Sequence, residues 1–272
     1  MATSIRYGII TSGLVPVRRD ASDASEMITQ CLLGETFRIQ EETERWFHIV
    51  ADHDGYIGWI SKSQARETDT ADYISWSNHP ERKRSGFFTY RVSNSHETLL
   101  VPAGAPVITT SNGIELPSGN WERVTSRQPI LEHSILDTAL NYRGASYLWG
   151  GRSDNGIDCS GFVQAVYGLH GYALPRDAWQ QHAFAPLDGT TLAEASAGDI
   201  LYFSYGDNRI HHVGFYLGDG YLLHASGSVT IHTIDPAKRN SGRYLFNERL
   251  GTTLVGFHKS KTLKSASTKK RT

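Results

Sequence analysis

Over the first 66 residues apolar and polar positions alternate in short runs. Leu14-Val15-Pro16-Val17 is followed by a polar run from Arg18 to Ser25, then by the apolar run Met27 to Leu33 and a Gly34-Glu35 turn. Phe37 and Ile39, then Phe47 and Ile49, recur at period two, as strands with one buried face do. Asp52-His53-Asp54-Gly55 reads as a turn and Tyr56-Ile57-Gly58-Trp59-Ile60 as the strand after it. About five or six strands in so short a segment predict a small barrel. Residues 67–128 are less regular. A polar and aromatic stretch with Trp76, Phe87, Phe88 and Tyr90 leads into Leu99-Leu100-Val101, Val107-Ile108 and Trp121-Glu122-Arg123-Val124, strand-like runs between Pro and Gly turns. A second, divergent barrel is expected there.

After Pro129 the period changes. Leu131, Ile135, Leu136 and Ala139 fall at helical spacing, with Pro129 near the start and Gly144 past the end. A glycine-rich loop, a helix over about 159–169 and a strand-rich remainder to 258 are expected to follow. The Lys/Ser/Thr tail, 259–272, has little apolar content and is expected to be disordered. The expected division is therefore 1–66, 67–128, 129–258 and the tail.

Composition narrows the function classes. The chain has 272 residues, 39% of them hydrophobic, with a mean hydropathy of −0.38. No stretch approaches the ~20 apolar residues of a membrane span, so no membrane association is expected. The 27 basic residues nearly balance the 28 acidic ones, which argues against nucleic acid as a partner. Six of the basic residues lie in the tail, leaving the rest of the chain acidic. Two cysteines, Cys31 and Cys159, exclude a disulfide framework. The opening MATSIRYGIITSG carries no apolar export segment, so a cytoplasmic location is expected.

Cys159 follows a run from Gly150 to Asp158 and precedes Ser160-Gly161-Phe162. Phe162, Val163, Val166 and Leu169 share one helical face, which places the cysteine in the first turn of a buried helix. There the macrodipole and unpaired N–H groups favour a thiolate, and the helix amides offer an oxyanion site beside the sulfur. A buried structural cysteine is the alternative, and reactivity also needs a base. Cys31, in an apolar run, reads as core.

A base is available downstream. Ile210 to Leu217 alternates like a strand, and Tyr221-Leu222-Leu223-His224 follows Gly218-Asp219-Gly220. A three-residue loop would pair 217 with 221 and 214 with 224. His212 and His224 then become diagonal neighbours, roughly 7–8 Å apart along the backbones, on the sheet face that meets Cys159. Gly214 opposite His224 would keep that space clear, whereas a two-residue loop would put the histidines on opposite faces. His211 and the isolated histidines, His232 among them, read as structural. A histidine pair can also hold metal, but neither HExxH nor CxxC occurs, and no metal or other cofactor is expected. No GxSxG supports a serine hydrolase.

These motifs fall in a recognisable order. Tyr147-Leu148-Trp149-Gly150-Gly151, Asp158-Cys159-Ser160-Gly161-Phe162, Leu174-Pro175-Arg176-Asp177, Gly198-Asp199-Ile200-Leu201-Tyr202-Phe203, His212 to Gly220 and His224-Ala225 resemble NlpC-type cell-wall cysteine peptidases over about residues 130–258. The segment from Gly34 to Ile60 resembles bacterial SH3-like modules. The resemblance implies an α+β protein: a papain-like NlpC domain, its cysteine helix packed on a histidine-bearing antiparallel sheet, after two small all-β SH3-like barrels. It implies Cys159 as nucleophile, His212 as base, His224 as the residue orienting it, and Tyr147 as an aid to the oxyanion. Asp158 and Ser160 match positions that contact the amino end of the substrate, although Asp158 equally suits a helix cap. Arg176 and Asp177 belong to the same substrate-side motifs, and Ala178 departs from a serine frequent in relatives. The layout is similar to γ-D-glutamyl-L-diamino-acid endopeptidases that act on peptidoglycan-derived peptides, especially cytoplasmic members that recycle muropeptides. In those the first SH3-like module closes one end of the groove; Glu26 and Tyr56 are the candidates here, with ordinary barrel surface as their alternative. An idle wall-binding protein and an acyltransferase on the same core are the competing functions.

Overall fold

The alternating segment forms seven strands: β1 (Arg6–Ile10), β2 (Leu14–Arg18), β3 (Met27–Leu32), β4 (Thr36–Glu42), β5 (Trp46–Ala51), β6 (Ile57–Ser61) and β7 (Ala65–Thr68). They build one sheet in the order β3-β2-β6-β5-β4-β1-β7. Among the described residues β3 and β7 have no outer ladder partner, so hydrogen bonds do not close the expected barrel. Val15, Val17, Cys31, Phe37, Ile49 and Ile60 nevertheless gather in a single cluster, which requires the sheet to bend round its own apolar face. Cys31 is core, as expected. The computed structural model describes residues 5–86, 89–94, 96–111, 113–116, 119–123, 134–207 and 209–269. The chain divides into two units, Met1–Leu131 and Glu132–Thr272.

A helix, α1 (Thr70–Ser77), follows in the first unit. Its cap is Asp69, whose carboxylate accepts the Asp72 N–H at 2.8 Å. A second sheet comprises β8 (Arg82–Arg84), β9 (Tyr90–Ser93), β10 (Thr98–Val101), β11 (Pro106–Thr109), β12 (Gly113–Leu116) and β13 (Gly119–Arg123), in the order β10-β9-β13-β12-β11-β8. Phe87, Phe88, Val124, Pro129 and Leu131 lie outside the described residues. The two sheets share a core: Ile9, Leu32 and Leu33 pack with Trp76, Val101 and Trp121. Trp76 Nε1 donates to the Gly34 carbonyl at 2.8 Å, and Arg84 reaches the buried Glu35 at 3.0 Å.

The second unit has the expected helix-on-sheet build. Helix α2 (Ile135–Asn141), the short hairpin β14 (Arg152–Ser153) and β15 (Gly156–Ile157), α3 (Cys159–Leu169) and α4 (Ala178–His182) precede the main sheet. That antiparallel sheet holds β16 (Ile200–Ser204), β17 (Ile210–Gly218), β18 (Tyr221–Ser226), β19 (Ser228–Thr233) and β20 (Leu254–His258), in the order β19-β18-β17-β16-β20. Helix α5 (Glu248–Gly251) precedes β20, and α6 (Ser260–Lys269) follows it. Phe162, Val163 and Val166 of α3 pack on Val213, Phe215 and Leu223. The opposite sheet face holds a second cluster with Leu201, Phe203, Leu222 and Phe257.

The tail corrects an expectation. Residues 260–269 are helical rather than disordered. Leu263 is fully buried in the cluster around α3, and Ser267 Oγ, one turn on, accepts the Ala173 N–H at 2.7 Å. Asp188, about seventy residues earlier, holds the helix start by accepting the Lys259 N–H at 2.8 Å and the Thr262 hydroxyl at 3.0 Å. One leucine and a distant cap suffice, and neither registers in composition. Leu263→Ala is expected to lower the stability of the second unit by roughly 2–4 kcal/mol, measured by urea unfolding.

Candidate active site

Helix α3 begins where the sequence predicts, because Asp158 caps it. Asp158 is extended (φ −94°, ψ 179°), and its Oδ1 accepts the Gly161 N–H at 2.7 Å. Cys159 is the first helical residue. Two glycines bring the preceding loop against it. A Cβ on Gly161 would stand 2.2 Å from the Gly151 carbonyl, and one on Gly151 would stand 2.3 Å from the Gly156 carbonyl. The motif around the cysteine is thus a close-approach motif: backbone packs on backbone to hold the helix tip.

The carboxylate of Asp158 does more than cap. Its Oδ2 accepts the Gly150 N–H at 2.9 Å, and Arg176 donates to both oxygens, at 3.0 Å to Oδ1 and 2.5 Å to Oδ2. Arg176 also donates to Ser160 Oγ at 3.0 Å. Arg176 is 1% exposed and Asp158 6%. Such a forked, buried pair is oriented strongly, and removing either partner strands the other charge. Of the residues expected on the substrate side, Asp158, Ser160 and Arg176 are therefore joined in a buried network beside Cys159.

The histidines stand on β17 and β18. The turn between them is Asp219-Gly220, with φ of 52° and 74°, two residues rather than three. The extra residue is absorbed as a bulge between Tyr216 and Gly218, after which Tyr216 pairs with Leu222 and Phe215 with Leu223. The bulge restores the register that the longer loop was expected to give. A Cβ on Gly214 would meet that of His224 at 2.9 Å, so the glycine does clear the site. His212 Nε2 lies 2.7 Å from His224 Nδ1, with the rings edge to face. Both rings are on the sheet face opposite the one covered by the body of α3, because Val213, Phe215 and Leu223 face the helix. Cys159 meets the strand at its backbone instead. The β17–β18 ladder ends at Phe215–Leu223, and beyond it the N–H of Val213, next to His212, lies at the Cys159 sulfur together with that of Ser160.

The electrostatics differ from the sequence-based expectation. Burial, reinforced by the neighbouring Asp158, pushes the Cys159 thiol up to about 12. Arg176 and the two N–H groups pull the other way without overcoming it. Burial likewise lowers His212 to about 4, and burial with the neighbouring imidazoles holds His224 well below its ordinary range. Burial thus disfavours the charged form of the thiol and of both imidazoles.

Comparison with known proteins agrees with this architecture. The NlpC/P60 family model matches residues 144–249, and the bacterial dipeptidyl-peptidase Sh3 domain model matches residues 17–64. A γ-D-glutamyl-L-lysine dipeptidyl-peptidase of Bacillus subtilis is 32% identical over 216 residues, covering 72% of this chain and 71% of that protein. The chain belongs to the NlpC/P60 family. It is a cysteine peptidase. Dipeptidyl-peptidase 6 of Lysinibacillus sphaericus is 26% identical over 85% of this chain and 91% of its own length. The crystal structure of an NlpC/P60 family protein from Bacillus cereus shares the fold, with a TM-score of 0.72 at 21% identity over 93% of this chain and 99% of that one.

Within the NlpC/P60 domain, Tyr147 is half-buried and close enough to Cys159 for the two charges to be felt; burial first, then the thiol, raises its phenol to about 12. Tyr205 was not singled out from sequence, yet its phenol is also raised, by burial and in small part by Cys159. It stacks on His211, and the Arg249 guanidinium lies 3.7 Å from its ring centre. No motif marks it. Asp177 is the cap residue of α4, where its N–H donates to Gln180 at 3.0 Å. Glu26 and Tyr56 belong to the first unit. There Glu26 pairs with Arg19 at 2.7 Å, and the Tyr56 N–H donates to Asp54 at 3.0 Å.

Two outcomes are expected. Arg176→Ala should destabilise the second unit by about 3–5 kcal/mol in urea unfolding, because Asp158 is left buried and unpaired. Arg176→Lys should recover little of this, since a single ammonium cannot replace the forked contact. The second outcome concerns pH. His212 has a lower pKa folded than unfolded, so the unfolded chain binds more protons between these values. Its contribution to stability is complete above the ordinary value of 6.5 and is lost as pH falls towards about 4. The urea midpoint should fall across that window, with a shallower slope in His212→Gln.

Proposed function

We propose that this enzyme hydrolyses the γ-D-glutamyl bond to the L-diamino acid in peptides derived from peptidoglycan, with Cys159 as nucleophile and His212 as general base. The observation that carries the reading is the placement of the Cys159 sulfur at the helix tip, against the strand that bears His212. The Bacillus subtilis relative, a γ-D-glutamyl-L-lysine dipeptidyl-peptidase similar over most of both chains, supports the bond and the substrate class. In this mechanism the thiol proton passes to His212 as Sγ attacks the γ-carbonyl of D-Glu. The tetrahedral oxyanion accepts hydrogen bonds from the start of α3, with Tyr147 as a further donor. Collapse expels the amine of the diamino acid, which takes the proton from His212 and leaves a thioester. Water, deprotonated by His212, then releases the acid and restores the thiol.

Burial shapes this cycle. A neutral thiol beside a neutral imidazole ionises when substrate is in place to use the charge, which protects the resting cysteine from adventitious oxidation. In this reading Asp158 and Arg176 build the nucleophile's platform, and Ser160 joins them beneath the substrate. Residues 1–66 and 67–128 act as SH3-like modules ahead of the catalytic domain at 129–258. The first of them takes part in reading the free L-Ala amine of soluble peptides during muropeptide recycling in the cytoplasm, with Glu26 and Tyr56 as its candidates.

The test is to incubate the full chain with L-Ala-γ-D-Glu-L-Lys and with its diaminopimelate counterpart, and to identify products by mass spectrometry. Release of L-Ala-γ-D-Glu is expected, with none from Cys159→Ala; release of free L-Ala instead would refute the assigned bond. Acetylating the L-Ala amine is expected to slow cleavage about ten- to a hundredfold, the loss of one charge-assisted contact. If Glu26 is that contact, Glu26→Gln should slow the free peptide by the same factor and leave the acetylated one unchanged. Equal cleavage of free and acetylated peptides would show that the amine is not read.

A further inference from the structure

His212 and His224 are two members of a row of three. On its far side His224 Nε2 lies 2.7 Å from His232 Nδ1, with ring centres 5.0 Å apart. The register explains the contact: on the β18–β19 ladder His224 faces Thr230 and Leu222 faces His232, so the two histidines are diagonal neighbours on one face. His212 is 7% exposed and His224 1%, whereas His232 is half-buried and lines a cavity of about 540 Å³ with Arg243 and Tyr244. The row runs from the strand beside the nucleophile to a separate opening.

Hydrogen counting gives the row a direction. Each neutral imidazole carries one N–H, so two successive N···N hydrogen bonds must point the same way. His212 Nε2 is occupied by His224, which leaves Nδ1 as its free basic nitrogen. For Nδ1 to be bare, Nε2 must carry the hydrogen and donate to His224 Nδ1. His224 then carries its hydrogen on Nε2 and must donate it onward. That donor is buried, and the acceptor within reach is His232 Nδ1. Without an acceptor there, the buried N–H would be unsatisfied. The row would reverse, placing a hydrogen on His212 Nδ1, where it blocks proton uptake.

We propose that His232 is a positioning residue for the peptidase reaction: by accepting the Nε2–H of His224 it fixes the tautomers of both buried histidines and keeps Nδ1 of His212 open for the thiol proton. The inference rests on His212 being the base. It also gives the row an outlet, since His232 lines the cavity at its far end. His232 touches no reacting atom and acts through His224.

The tautomers can be read directly. In the unaltered protein, ¹⁵N spectra above pH 7 should show His212 and His224 protonated on Nε2 with Nδ1 bare; a His224 protonated on Nδ1 would overturn the proposal. His232→Leu should move the His224 hydrogen to Nδ1 and lower kcat about ten- to a hundredfold, with KM held within about twofold. His232→Gln, which keeps an acceptor oxygen, should restore both the tautomer and most of kcat. Unchanged kcat and tautomer in a folded His232→Leu variant would refute the role. Retained activity in His212→Ala would instead refute the base assignment, while the His224 tautomer is read from the spectrum independently of turnover. Should the leucine variant not fold, the spectrum of the unaltered protein still decides.

Discussion

Everything the second unit does with its cysteine depends on how one carboxylate is held. Asp158 caps α3, accepts the Gly150 amide and takes both arms of Arg176. The first contact ends the loop and starts the helix. The second folds the loop back, and the third neutralises the charge of an otherwise isolated buried anion. The glycines at 151 and 161 let these contacts coexist, since side chains there would meet backbone carbonyls. The position of Cys159 follows from this arrangement, to which the Val213 and Ser160 N–H groups at its sulfur add.

The same carboxylate opposes thiolate formation, because a negative charge beside the sulfur adds to the effect of burial. A helix N-terminus alone argues for an acidic cysteine, and that argument is sound for an exposed thiol. Here desolvation is the larger influence, and the buried imidazoles face the same penalty with the opposite sign. The two effects act alike: burial disfavours charge on the thiol and on the imidazoles.

Much of this was legible in the chain, for local reasons. The period-two runs became strands, the 3.6 period after the cysteine became α3, and Gly214 marked the space needed by His224. The motif order identified the family. What escaped the sequence was set by distant contacts or by turn geometry. The tail is helical because of Asp188 and a single leucine. The turn at Asp219-Gly220 is one residue shorter than expected, with a bulge making up the difference. Tyr205 and His232 carry no motif and gain meaning from neighbours that the fold supplies. Alternation on β17 placed the histidines together, but which face the helix covers depended on packing that the pattern does not encode.

The unfinished ladder between β17 and β18 has a consequence for engineering. An idealised sheet would pair the two strands along their full length, and a designer seeking thermostability would be drawn to complete it. Completion would turn the Val213 amide inward to a β18 carbonyl and withdraw it from the sulfur. The irregularity is therefore a port: the sheet gives up some cooperativity so that a helix tip from another part of the chain can reach a strand's backbone. Consensus or design methods that reward regular pairing should be expected to select, at this seam, for a sturdier protein with a silent cysteine.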